Sequence, residues 1–138
     1  MVPPDELTRE HLIAEWKESV RLFNLVRRAQ EKGLTPVDVS IPSEYKLGRG
    51  HVTFFYDKLD YLLDRREAIA DEMRNRGYHP NPIPAADLIA NIEQHWIGQY
   101  VPTEKALEIN RERIALRLFE AEVRDNRIEC EWSDNDNT

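Results

Sequence analysis

Six polar side chains are of types that can take part in catalysis or bind a charged group. They are His11, Lys17, Glu18, Arg21, Arg113 and Arg117. A carboxylate can move protons or stabilise a developing positive charge, and cations can bind phosphates. Because His11, Glu18 and Arg21 are seven and three residues apart, a helix would place them on one face. Spacing alone favours a simpler interpretation, a solvated helix face with paired charges, and does not identify an enzyme.

Three amphipathic helices are predicted to position these residues. The first runs from about Thr8, its N-cap, to Gln30, and Gly33 is a plausible stop. The second spans about 52–76, and Gly77 suits a left-handed cap. The third begins after Pro102, with Thr103 as its N-cap, and ends near residue 121. The residues predicted to face the core are Leu12, Trp16, Val20, Phe23, Val26, Phe55, Leu59, Leu62, Ile69, Met73, Leu107, Ile114 and Leu118.

The connections between the helices are predicted to be long and irregular. Residues 34–50 form a loop rather than a paired strand, since Pro36 and Pro42 bracket the alternating apolar residues. A short helix is expected from Ala85 to Glu93. The fold class is therefore all-α, a compact single domain of three main helices covering residues 1–132. Residues 133–138 are expected to be a disordered acidic, polar tail.

Composition limits the class of protein more than it indicates a function. A chain of 138 residues fits one domain, and no apolar run approaches the ~18 residues that span a bilayer. No secretion signal opens the chain and Cys130 is the single cysteine, which favours an intracellular, cytoplasmic protein. We expect no metal site, because the four histidines lack carboxylate or cysteine partners at ligand spacing. We also expect a monomer.

The net charge of −7 argues by itself against a nucleic-acid partner, but the charge is uneven. Residues 118–138 contain seven of the 26 acidic residues and two of the 19 basic residues. Residues 1–117 therefore have a net charge of only −2 and could still carry one basic face.

Three segments, in the same order along the chain, resemble the pyrimidine-dimer DNA glycosylase family. They are HLIAEWKE at residues 11–18, GHVTFFYDKL at 50–59 and QYVPTE at 99–104. The resemblance covers roughly residues 6 to 117 and implies the family's helical fold. It also implies damaged double-stranded DNA as partner and no cofactor. Phe54, Phe55 and Tyr56 are interpreted as core rather than as a base-stacking platform.

The resemblance assigns roles to the six polar side chains. Glu18 matches the family's catalytic glutamate, and His11 matches a histidine close to the active site. Lys17 replaces a DNA-contacting arginine, so the charge is kept but the bidentate fork is lost. Arg21 matches a second DNA-contacting arginine. Arg113 and Arg117 match basic positions of the third helix, the latter a lysine in the family.

The family's chemistry needs few residues. A neutral amino-terminal α-amine attacks C1′ of the damaged nucleotide and displaces the base, and the resulting imine acidifies C2′ so that β-elimination nicks the strand. An α-amine suits this step because its unperturbed pKa is about 7.7–8.0. Glu18 would stabilise positive charge on the sugar and shuttle protons.

The two ends of this sequence depart from the family pattern. The family begins Met-Thr-Arg-Ile-Asn-Leu, and Met1 aligns with that leucine, so the threonine that carries the nucleophile has no counterpart here. A shifted start or a truncation would explain this, as would a paralogue that lost the reaction. A third alternative is a Val2 amine exposed by initiator removal. At the other end, an acidic stretch replaces an aromatic and basic run, which should weaken DNA binding.

The predicted function is a DNA-repair glycosylase with abasic-site lyase activity on UV-type pyrimidine dimers. The alternative is a non-catalytic member of the same fold that binds DNA or another protein.

Overall fold

Residues 1–136 form four α-helices joined by turns and loops, as described by a computed structural model that places side chains as far as Asp125. The helices are α1 (Arg9–Glu31), α2 (Leu59–Asn75), α3 (Ala85–Leu88) and α4 (Glu104–Asp136). Short 3-10 turns lie at Pro4–Glu6, Thr53–Phe55 and Gln94–Trp96. Within these residues there is no strand, so the all-α prediction with three long helices is confirmed.

The predicted caps define the ends of the long helices. The Thr8 hydroxyl accepts the His11 N–H at the start of α1, and the Thr103 hydroxyl accepts the Ala106 N–H at 3.0 Å at the start of α4. After α2 the chain reverses at Gly77, whose φ of 84° is a left-handed conformation that glycine adopts without steric cost. These three caps confirm the corresponding predictions.

Some predicted boundaries were wrong. The segment expected to open the second helix at Val52 instead forms a 3-10 turn, and α2 begins at Leu59. The short helix ends at Leu88 rather than near residue 93. Helix α4 passes residue 121 and continues to Asp136, through the first four residues of the predicted tail. Residues 137–138 lie outside the described part, and the division of the chain at 133 stays a prediction.

Two groups of buried side chains form the core. The larger joins α1 and α2 to the turns around Phe54 and Trp96, and it also contains Phe23 and Leu59. The smaller packs the opening residues, through Val2 and Leu7, against α1 and α2. Burial of Phe54 and Phe55 confirms that this aromatic pair belongs to the core. The prediction for Leu118 was wrong, because its side chain is 46% exposed on the part of α4 that extends past the core.

None of the helices in residues 1–136 combines the length and apolar composition that crossing a bilayer requires.

Candidate functional site

Glu18 lies on the exposed edge of α1, where its carboxylate is accessible. Its Oε1 accepts a hydrogen bond from Arg21 Nη1 at 2.7 Å, and the two side chains are 46% and 62% exposed respectively. An ion pair this exposed contributes little to stability, since water and salt compete with it. The carboxylate can therefore exchange its arginine partner for a substrate at small cost.

Glu15, one turn before Glu18 on the same side of α1, has the opposite environment. Both of its oxygens accept hydrogen bonds from Arg65 of α2, at 2.9 Å from Nε and 3.1 Å from Nη2. The Arg65 side chain is only 8% exposed. This two-point contact fixes the Glu15 carboxylate in place. The two glutamates are thus one exposed carboxylate with an exposed partner and one carboxylate fixed by a buried arginine, on neighbouring positions of a helix.

The beginning of the chain lies beside Glu15. The α-amine of Met1 donates to the Tyr61 hydroxyl at 2.5 Å, and the Val2 N–H donates to Asn110 Oδ1 at 3.2 Å. Arg65 Nη1 donates to the Val2 carbonyl oxygen. The opening residues therefore lie on the same side of the molecule as the Glu15–Glu18 edge of α1.

The pKa of the Met1 α-amine is lowered from 8.0 to about 5, mainly by burial and also by the nearby Arg65 guanidinium, while Glu15 acts in the opposite direction. The amine is consequently neutral at pH 7. Its partner Tyr61 is a neutral phenol, because burial raises the Tyr61 pKa to about 12. An amine in this environment has a free electron pair, the property that a nitrogen nucleophile needs.

His11 connects α1 to the cations of α4. Its Nδ1 lies 2.7 Å from the Thr8 hydroxyl oxygen. Burial is the main cause that lowers the His11 pKa, and the positive charges of Arg117 and Arg113 lower it further against Glu10 and Glu15. Ile114 of α4 packs against the buried group that contains Leu12, so this part of α4, with Arg113 and Arg117, lies near the end of α1 that carries His11.

Lys17 and Arg21 extend the positive charge along the exposed flank of α1. Both side chains are exposed, and Lys17 is adjacent to Glu18 in sequence and so about 100° away around the helix. Arg21 is close enough to Tyr56 for its charge to oppose the rise in the Tyr56 pKa that burial causes. The predicted residues thus form two groups, with His11, Arg113 and Arg117 at the α1–α4 contact and Lys17 and Arg21 on the flank beside Glu18.

Tyrosine side chains pack beside the Met1 amine. The rings of Tyr61 and Tyr100 lie edge to face with centroids 5.3 Å apart, and Tyr45 is buried against Phe54. Tyr45, Phe54 and Tyr100 also line a cavity of about 220 Å³ that opens beside Thr103 at the start of α4. A larger groove of about 370 Å³ is lined in part by Trp16, which lies on the opposite side of α1 from Glu18.

Sequence analysis missed four residues around the chain start: Glu15, Tyr61, Arg65 and Asn110. Glu15 carried a usable signal, because it is four residues after His11 and three before Glu18 and so shares their helix face. The other three lie on α2 and α4, and nothing in their local sequence indicates which residue of the opening segment they contact. Among the described residues, no group of three or more His, Cys, Asp or Glu side chains could hold a metal ion.

One comparison with known proteins bears on this arrangement. Residues 1–83 match the family model described as pyrimidine dimer DNA glycosylase. The match covers 83 of the 138 residues, more than half of the chain. It includes α1 and α2, and hence Glu15, Glu18, Tyr61 and Arg65, whereas Asn110 and the α4 arginines lie outside it.

Proposed function

The chain belongs to the pyrimidine dimer DNA glycosylase family, and we propose that it is a DNA-repair glycosylase with abasic-site lyase activity on UV-type pyrimidine dimers. The observation that carries this proposal is the accessible Glu18 carboxylate on the side of α1 where the chain begins. Family membership supports the substrate class, and the geometry supports the choice of Glu18 among the carboxylates of α1.

In the proposed reaction a neutral α-amine forms a bond to C1′ of the damaged nucleotide, and the base leaves with the electrons of the glycosidic bond. Opening of the sugar gives an imine, which makes the C2′ proton acidic. Removal of that proton breaks the C3′–O bond and nicks the strand. Glu18 stabilises the positive charge that develops on the sugar and moves the proton during elimination. Its weak pairing with Arg21 leaves it able to do so.

The cations have a separate role in this proposal. Lys17, Arg21, Arg113 and Arg117 contact phosphates and set the position of the duplex on α1 and α4. His11, whose pKa is lowered, binds the DNA beside them as a neutral imidazole. Reaching C1′ of a paired nucleotide requires a kinked duplex and an extruded nucleotide, which costs a few kcal/mol. Damage that has already distorted the duplex lowers this cost and favours recognition of the lesion.

The reacting amine must reach the Glu18 edge of α1 from the place where Met1 lies. In the 138-residue chain the Met1 amine is held by Tyr61 and lies beside Glu15. Five further residues in extended conformation span about 16 Å, so an added Thr-Arg-Ile-Asn-Leu could carry a threonine amine from Met1 to the Glu18 edge of α1.

The experiment compares the 138-residue chain with a form that carries this five-residue extension and begins with threonine. Each is incubated with a duplex containing one abasic site and reduced with borohydride, which traps an imine as a covalent adduct. We expect the extended form to give the adduct and to nick a duplex containing a pyrimidine dimer. If neither form gives an adduct, the lyase proposal is refuted.

A matched pair of variants tests Glu18. Glu18→Gln should reduce strand nicking by about 100-fold or more, within the range that general acid–base groups contribute. Glu31→Gln changes an exposed glutamate at the far end of the same helix and should leave nicking unchanged. Nicking by Glu18→Gln at the rate of Glu31→Gln would contradict the assigned role.

The alternative is a non-catalytic member of the fold, and exposed apolar residues on α4 favour it. Leu116, Phe119 and Val123 are about half exposed or more and recur at helical spacing. A protein partner would cover such a stripe. Salt-dependent binding to the abasic duplex without any trapped adduct would support the DNA-binding version, and no binding at low salt would support a protein partner.

A further inference from the structure

The segment that precedes α1 is held by side chains from the C-cap of α2 and from α4. Arg76, just after α2, donates from Nη2 to the carbonyl oxygens of Leu7 at 2.7 Å and Pro4 at 3.2 Å. From α4, Arg111 makes a two-point ion pair with Glu6, at 3.0 and 3.1 Å. Residues 1–7 are therefore ordered by specific polar contacts as well as by burial of Val2 and Leu7.

Val2 is the most constrained residue of this segment. Its side chain is fully buried, its N–H donates to Asn110 of α4, and its carbonyl oxygen accepts from Arg65 of α2. Both backbone hydrogen-bonding groups of Val2 are thus bound, each by a side chain from a different helix. Such a pair of contacts fixes the position of the backbone along the segment and its rotation about the chain axis, which apolar contacts alone do not do.

Arg65 links this backbone contact to the candidate site. The same guanidinium that binds the Val2 carbonyl also holds both oxygens of Glu15. The distance between the opening segment and the Glu15–Glu18 edge of α1 is consequently set by one rigid, planar group. Keeping a guanidinium buried is costly unless all its donors are used, and here Nε, Nη1 and Nη2 each have a partner.

We propose that Arg65 and Asn110 are positioning residues for the reaction proposed above: together they clamp the backbone at Val2 and so direct the amino-terminal group toward the Glu18 edge of α1. They act through the peptide of Val2 and do not touch the substrate. The inference rests on the proposed function, because it is the approach of an α-amine to the sugar that makes the position of this segment matter. A displacement of about 1 Å at a reacting group can cost about 100-fold in rate.

The test uses three variants and one control, each made in the form of the chain that traps the imine. Asn110→Ala removes the acceptor of the Val2 N–H, whereas Asn110→Asp keeps an oxygen at that position. Arg65→Lys keeps the charge but cannot bind Val2 and Glu15 together. The control, Arg74→Gln, removes the exposed ion pair with Asp71 elsewhere on α2.

Two quantities separate positioning from binding or general stability. We expect Asn110→Ala and Arg65→Lys to lower the imine-trapping rate at saturating abasic duplex by about tenfold or more, with Kd for the duplex within about twofold. Asn110→Asp should recover most of the rate, and Arg74→Gln should match the wild type. Trapping by Asn110→Ala and Arg65→Lys within about twofold of wild type would overturn the clamp.

Hydrogen exchange at the backbone of residues 2–7 gives an independent readout that needs no activity. The Val2 amide should exchange at least about tenfold faster in Asn110→Ala than in the wild type, because local opening no longer breaks a hydrogen bond. Unchanged exchange at Val2 would overturn the clamp even if trapping fell. If no form of the chain traps an adduct, the proposed function fails, and this exchange measurement still decides whether the clamp exists.

Discussion

Replacing Glu15 by glutamine should lower the free energy of unfolding much more than the same replacement at Glu18. Glu15→Gln removes the negative charge that faces Arg65, a side chain only 8% exposed. Breaking a fully buried ion pair from one side costs about 3–5 kcal/mol. Because the Glu15 side chain is itself 34% exposed, water can partly solvate the remaining guanidinium, and we expect a loss of about 2 kcal/mol.

Glu18→Gln changes the same functional group one turn away. Its partner Arg21 is 62% exposed and Glu18 is 46% exposed, and an exposed pair three residues apart contributes about 0.5 kcal/mol or less. Glu18→Gln should therefore leave the free energy of unfolding nearly unchanged, although it removes the carboxylate on which the proposed reaction depends.

Urea unfolding followed by far-ultraviolet circular dichroism measures both free energies. The expected result is a midpoint clearly lowered for Glu15→Gln and within error of wild type for Glu18→Gln and the Glu31→Gln control. Equal destabilisation by Glu15→Gln and Glu18→Gln would refute the distinction between a carboxylate fixed by a buried arginine and an exposed carboxylate. A urea midpoint of Glu15→Gln equal to that of the wild type would also refute this distinction.

Three further predictions follow from single groups. In the 138-residue chain the Met1 amine, with its pKa lowered to about 5, gains a proton on unfolding between pH 5 and 8. The free energy of unfolding should rise with pH there by up to about 4 kcal/mol, and a slope that survives acetylation of the amine would contradict this. Gly98→Ala would put Cβ 2.3 Å from the Asp57 carbonyl oxygen and should cost about 3 kcal/mol, so an unchanged thermal midpoint would disprove the contact. Thr8→Ala should lose about 1 kcal/mol of capping free energy in urea unfolding, and no loss would show the cap to be dispensable.

Local signals in the sequence predicted the helices well where each residue acts within its own turn. Thr8 and Thr103 were recognised as caps because a hydroxyl satisfies an N–H two or three residues later, which is a local contact. Gly77 was recognised because its left-handed backbone is also a local property. Leu118 fits the apolar periodicity of α4 but is exposed, since periodicity does not reveal where the partner surface ends.

The candidate site was predictable only in part, for a similar reason. Glu18, His11 and Arg21 lie on one helix, so their common side followed from spacing, and the family resemblance singled them out. The contacts of Arg65 with Glu15 and Val2 join residues 50 and 63 positions apart. Such pairings depend on how α1, α2 and the opening segment pack together, and no pattern within one element specifies them. The roles of the six polar residues stay predictions until activity is measured.

The continuation of α4 to Asp136 has a consequence for how the chain's charge acts at a distance. At 1.5 Å per residue, the backbone positions of Glu129, Glu131, Asp134 and Asp136 lie about 18–28 Å along the helix axis from Arg117. At physiological ionic strength the Debye length is about 8 Å. Most of the repulsion between these acids and a polyanion docked at Arg117 is therefore screened by small ions, and the total charge of −7 overstates the field that such a polyanion meets.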